Sequence, residues 1–138
     1  MMNAGEYYVG DLCYVMSYEE WDEVCALTII NNKCVEGEFT LSNGRRFAIY
    51  GTRWGDGEYK SNKGTSHSVD SGTIGCILVS DIEADKFKDN ESLGAVLDFK
   101  ENFITYNNDG LLVFGNVVIN TDPDEYYEDE DELEYDDQ

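Results

Sequence analysis

Histidine is almost absent from this chain: His67 stands alone. A hydrolase built on metal-bound histidines is therefore excluded, because such sites gather several imidazoles around one ion. The four cysteines, Cys13, Cys25, Cys34 and Cys76, form no Cys-x-x-Cys pair and have no zinc-ligand spacing to His67. There is no GxSxG elbow, no HExxH, no P-loop and no GxGxxG following a strand. No apolar run reaches about 18 residues, so no membrane-spanning helix is expected. The opening residues, Met1 to Glu6, carry neither a basic nor an apolar signal region. A cytoplasmic protein with reduced thiols, no cofactor, no metal and no enzymatic activity is the expectation.

Positive charge is also scarce. Nine basic residues face 30 acidic ones, for a net charge of −21. From Asp122 to Gln138, 11 of 17 positions are acidic and none is basic. Residues 1–121 still hold 19 acidic and 9 basic residues, net −10. Direct binding to nucleic acid is opposed by this balance, since affinity for phosphates comes largely from Lys and Arg. Anionic membranes are disfavoured for the same reason. The field steers in basic proteins. Like charges at the density of residues 122–138 repel, and little apolar surface is present to offset the entropy of ordering, so a disordered acidic tail is expected there. Pro123 prevents the preceding strand from continuing. Tyr126, Tyr127, Leu133 and Tyr135 interrupt the acids and give the tail short anchors for a partner.

Residues 1–121 read as one globular β-rich domain. Glu6 to Met16 is aromatic and β-branched, broken at Gly10-Asp11, which predicts a strand, a bend or bulge, and a second strand. Ser17-Tyr-Glu-Glu20 is a capping box that opens the one good helix, with Trp21, Val24, Cys25 and Thr28 or Ile29 on its apolar stripe. Asn31-Asn32 is expected to end it. Asn43-Gly44, between two alternating runs, predicts a hairpin with Phe39, Leu41, Phe47 and Ile49 facing the core. Two short strands flank Asn62-Lys63-Gly64, and Thr73–Ser80 reads as a central strand buried on both faces. One or two helical turns at 81–87, a strand over 93–99, a second hairpin around Asn107–Gly110 and a closing strand at 116–120 follow. The fold class expected is α+β, mainly antiparallel: a strongly bent sheet or partly open barrel of about eight strands, with one helix in the N-terminal half.

Several residues stand out as candidates. Asp11, Arg53, Trp54, Asp56, His67 and Asp70 cluster around Gly-rich turns and can line a small polar pocket for a nucleotide-like ligand or a cation. Against this, Asp-Gly and Asp-Ser-Gly are ordinary turn chemistry, with the carboxylate bonding nearby backbone. Cys76, flanked by Ile and Leu, reads as an inert core thiol. Glu19, Glu20, Asp22 and Glu23 compensate the helix dipole and also extend an acidic surface. With Asp124, Glu125, Tyr126, Tyr127, Glu128, Asp129, Glu130 and Asp131 of the tail, they form the candidate interface for a basic partner.

A resemblance is carried by Tyr8-Val-Gly-Asp-Leu-Cys-Tyr-Val15, then Ser17-Tyr-Glu-Glu-Trp21, then Tyr50-Gly-Thr-Arg-Trp-Gly-Asp-Gly-Glu-Tyr59 and Val69-Asp-Ser-Gly-Thr-Ile-Gly75. In that order they resemble an uncharacterised type of small phage and bacterial protein with YVGDPCYV, YGDGxY and VDSGxIG segments. The resemblance spans most of residues 7–80. Leu12 replaces the usual Pro, Trp54 replaces the usual Tyr, and the acidic tail lies outside the pattern. No catalytic residue is carried over. What the resemblance implies is a phage or mobile-element setting, where small acidic proteins act as stoichiometric inhibitors of host nucleic-acid enzymes. The functional expectation is a DNA-mimic-like binder of a basic host protein. The alternative is a small-ligand binder using the Trp54–Gly72 loops.

Overall fold

The computed structural model of the protein describes residues 1–30 and 33–121. The tail and its candidate interface residues therefore lie outside the described residues. The first strand, β1, is Gly5–Gly10. No second strand follows the bend at Gly10-Asp11; Leu12–Tyr14 is a single 3-10 turn instead. The reason is the Asp11 carboxylate, which accepts from the Cys13 backbone N–H at 3.0 Å and curls the chain before it can extend. Helix α1, Tyr18–Thr28, starts on the expected box: the Glu20 N–H donates to Ser17 Oγ, and the Ser17 N–H donates to Glu20 Oε1. It ends at Thr28, earlier than expected. The β-branched run Thr28-Ile29-Ile30 favours extended backbone, and Ile29–Ile30 (β2) pairs with Lys33–Cys34 (β3).

The next strands are β4 (Gly37–Thr40), β5 (Arg46–Gly51), β6 (Gly57–Lys60), β7 (Ser66–Val69) and β8 (Thr73–Leu78). After a short helix α2 (Ala84–Asn90) come β9 (Ala95–Phe99), β10 (Thr105–Asn108), β11 (Leu111–Phe114) and β12 (Val117–Asn120). At the β10–β11 connection Asp109 (φ 54°) and Gly110 (φ 94°) both adopt the left-handed region. That is the turn whose twist matches the flanking strands, and it needs the Asp-Gly pair.

The described residues thus form an α+β fold with antiparallel pairing. The described residues hold twelve strands, two of them only two residues long, against about eight expected. They fall into separate ladders that do not close on themselves, so nothing in them supports a barrel. The main sheet runs β4-β5-β8-β1-β9. Its register puts Phe47, Ile77 and Tyr8 side by side, and next to them Ala48, Cys76 and Val9. Successive side chains point to opposite faces, so these two rows belong to two different cores. Tyr8, Phe47 and Ile77 pack with Leu12, Met16, Val24 and Leu41 beneath α1. Val9, Ala48 and Cys76 pack against Leu112, Phe114, Val117 and Ile119 of the second sheet, β10-β11-β12. The protein is a three-layer stack with the main sheet in the middle, and β8 is buried on both faces as its apolar run predicts.

Aromatic rings close the end of the second core. Phe99 and Phe103 stack with centroids 3.9 Å apart, and Tyr7 meets both edge-on. The β6–β7 hairpin is tied to β12, where Asn62 N–H donates to the Val118 carbonyl and Val118 N–H donates to Asn62 Oδ1.

Candidate functional site

Asp11 is fully buried, and it is the structural hub of the turn residues singled out in the sequence. Its Oδ2 accepts from the backbone N–H groups of Asp70 (2.7 Å) and Ser71 (2.6 Å). Its Oδ1 accepts from Ser71 Oγ (2.8 Å) and Cys13 N–H (3.0 Å). A carboxylate with four protein donors has no free lone-pair direction for a ligand. Asp11 and the Asp70-Ser71-Gly72 turn are therefore brought together, but through the Asp70 backbone, and the Asp70 side chain stays on the surface.

The other loop candidates diverge. Asp56 and Trp54 are exposed, and Trp54 keeps 57% of its surface in solvent. The Arg53 guanidinium pairs with Asp109. His67 is completely buried in β7. Its Nδ1 lies 2.9 Å from the Val9 carbonyl, which can only accept, so Nδ1 carries the proton. Nε2 therefore accepts from Thr65 Oγ1 at 2.8 Å. Both ring nitrogens are used, as in a satisfied core histidine, and with no solvent exposure His67 cannot face an open pocket together with Asp56 and Asp70. No group of three or more His, Cys, Asp or Glu residues suited to a metal ion occurs among the described residues. Cys76 is fully buried, and burial pushes its thiol up to about 12, so it stays protonated at neutral pH.

Burial holds the His67 imidazole below its ordinary value, with the Val9 bond partly offsetting. A neutral buried histidine makes the unfolded state the better proton acceptor. Stability is therefore lost as pH falls through the unfolded value of about 6.5. In urea melts, the full chain is expected to weaken between pH 7 and 5, with His67→Gln showing a flatter profile; equal slopes would remove His67 as the cause. Glu20 adds a pH dependence of its own only at lower pH, where its contribution is lost. Burial pushes its carboxyl up, but bonds from the Ser17 N–H, Asn43 and Arg45 outweigh this and hold it below the usual range. That contribution is present above the unfolded carboxylate value and is lost as pH falls toward the depressed folded one.

The four acids of the first helical turns divide into two pairs. Glu20 reaches Arg45 Nη1 at 2.8 Å and accepts from Asn43 Nδ2 at 3.1 Å. Glu23 accepts from the Ser42 N–H (2.7 Å) and Ser42 Oγ (3.0 Å). These two clamp α1 to the β4–β5 hairpin tip, while Glu19 and Asp22 are exposed. Glu83, from the segment before α2, joins Glu19, Glu20 and Glu23 around one surface depression of about 310 Å³. Nothing in the local sequence at 79–91 signals that proximity; it arises from the packing of that segment over the helix-side core through Ile82 and Phe87.

The fold also occupies its own strongest cations. All three arginines are ion-paired: Arg45 with Glu20, Arg46 with Glu38 and Arg53 with Asp109. Among the described residues no helix is long and apolar enough to cross a membrane. Comparison with protein-family models, with curated proteins and with solved structures returns no match.

Proposed function

We propose that this chain is a non-catalytic, phage-encoded interaction protein that occupies the nucleic-acid-binding surface of a basic host protein and inhibits it. The observation that carries the reading is the disposition of charge. The three arginines are paired within the chain, while Glu19 and Glu83 stand exposed around one depression and Asp22 is exposed on the same helix as Glu19, in a chain with net charge −21. Carboxylates then meet the partner's Lys and Arg where phosphates would otherwise lie, and the complex weakens with salt. The tail acids, Asp124 to Asp131, add to the same net charge.

The test uses the full chain immobilised against host lysate at low and high salt, with duplex DNA as competitor. Nucleic-acid-binding proteins are expected to be retained at low salt and released by either salt or DNA. Retention that neither salt nor DNA disturbs would rule the reading out. Within the full chain, Glu19→Gln, Asp22→Asn and Glu83→Gln together are expected to weaken the complex about tenfold, from exposed pairs worth a few tenths to one kcal/mol each. They should leave the melting curve within about 0.5 kcal/mol of the parent. Glu20→Ala behaves differently: it removes half of the capping box and the Arg45 pair, and costs about 1–2 kcal/mol of stability.

A further inference from the structure

A groove of about 290 Å³ opens on the helix side, between α1, the β2–β3 hairpin and the end of β5. Its floor includes Trp21 and Ile49. Its walls include Ile29 and Val35, which remain 55% and 38% exposed although both are aliphatic. A single acid is part of this apolar lining, and two more sit next to lining residues along the chain. Glu36 lines it, oriented by bonds from the Gly51 N–H at 2.6 Å and Asn107 Nδ2 at 3.1 Å. Asp22 projects from α1 close enough to raise the Cys25 thiol, after burial itself. Asp70 precedes the lining residue Ser71. Among the described residues none that lines the groove is basic; of the flanking basic residues, Lys33 is exposed and Arg53 is bound to Asp109.

An apolar cleft that includes a carboxylate and, among the described residues, no base in its lining selects its occupant by charge. The chain's own tail, with 11 acids in 17 residues, would set carboxylates against carboxylates. A second copy of the chain, at −21, meets the same repulsion. We propose that the groove takes a bulky apolar side chain, aromatic or leucine-like, from a segment of the partner that carries Lys or Arg on both sides. This rests on the basic-partner reading above and adds to it an anchoring pocket. The apolar anchor gives affinity, and the flanking cations and the acids in and beside the lining give register.

The probe is a synthetic peptide, Lys-Lys-Phe-Leu-Lys-Lys, compared with Lys-Lys-Ala-Ala-Lys-Lys. The protein is the full chain with Trp54→Phe, which leaves Trp21 of the two tryptophans as the reporter inside the groove. The Phe-Leu peptide is expected to change Trp21 emission saturably and to bind about 10- to 100-fold tighter than the Ala-Ala peptide, the yield of burying one large apolar side chain. Ile29→Ser with Val35→Ser should erase that difference. Equal, salt-sensitive affinity for the two peptides by calorimetry overturns the groove and leaves the basic-partner reading standing. Unchanged Trp21 emission with both peptides also overturns the groove, while the lysate experiment judges the broader reading separately. If Tyr126→Ser with Tyr127→Ser in the full chain tightens peptide binding tenfold or more, the tail is the occupant and the partner is not.

Discussion

Asp11→Ala is expected to cost about 3–5 kcal/mol and to lower the melting temperature by about 10–15 °C. The carboxylate, itself fully buried, serves three backbone N–H groups and one hydroxyl at a partly buried turn. Removing it leaves several partly buried donors unpaired at once, and each fully buried group of this kind costs about 1–3 kcal/mol. Two segments 59 residues apart also lose their direct link, the bond from the Asp70 N–H to Asp11. Asp11→Asn should be only partly tolerated, because its amide turns N–H groups toward N–H donors. Ser71→Ala calibrates the scale at about 1 kcal/mol, since one bond is lost and the backbone donors keep their acceptor. The informative contrast is Asp56→Ala. Asp56 is also a Gly-flanked turn acid, but it is exposed, and its loss should stay within about 0.5 kcal/mol. Urea and thermal melts of the four variants decide the matter; a loss at Asp11 no larger than at Asp56 would show that the clamp does not hold the turn.

Gly75→Ala is the second large effect. A Cβ at Gly75 would lie 2.2 Å from the Ala48 carbonyl oxygen and 2.8 Å from Leu12 Cδ1. The leucine can yield by rotating. The carbonyl cannot, because it belongs to the β5–β8 ladder in which Ala48 pairs with Cys76 and Ile49 with Gly75. Relief requires the central strands to separate, so the expected cost is at least about 3 kcal/mol, at the upper end of overpacking effects. Leu12→Ala should not rescue it, since the backbone clash remains. Gly51→Ala is the control. Its Cβ would meet only the end of the Glu36 side chain, at 3.1 Å, which can swing away, and a cost below about 1 kcal/mol is expected. A Gly75→Ala protein with parent-like stability would mean that the sheet at this point is looser than its register implies.

Local chemistry was legible wherever it completes itself within a few residues. The capping box at Ser17-Glu20, the Asp109-Gly110 turn and the apolar run of β8 each carry their partners in the adjacent sequence, and each forms as expected. The 3-10 turn at Leu12–Tyr14 was not legible. Its residues are good strand formers, and what bends them is a carboxylate also held by a turn 60 positions away. The candidate ligand cluster came apart for a related reason. Asp56, His67 and Asp70 lie close in sequence, but the alternation of β7 turns His67 inward, to the Val9 carbonyl, while its neighbours in the turns stay outside.

The same division runs through the surface. Composition alone determined that the protein is polyanionic, that it has too few histidines for a histidine metal centre, and that direct contact with phosphates is disfavoured. Net charge is additive, so it needs no fold to be read. Which acids are free was decided only by the tertiary structure. Glu19, Glu20, Asp22 and Glu23 are equivalent as residue types on one helix, yet Glu20 and Glu23 face the hairpin tip and are bound there, while Glu19 and Asp22 face water. Glu83 joins Glu19 at one depression, and Glu36 comes to line the apolar groove, through contacts between segments distant in sequence. Hydrogen bonds and ion pairs act over a few ångströms, and only the folded chain says which groups those distances connect.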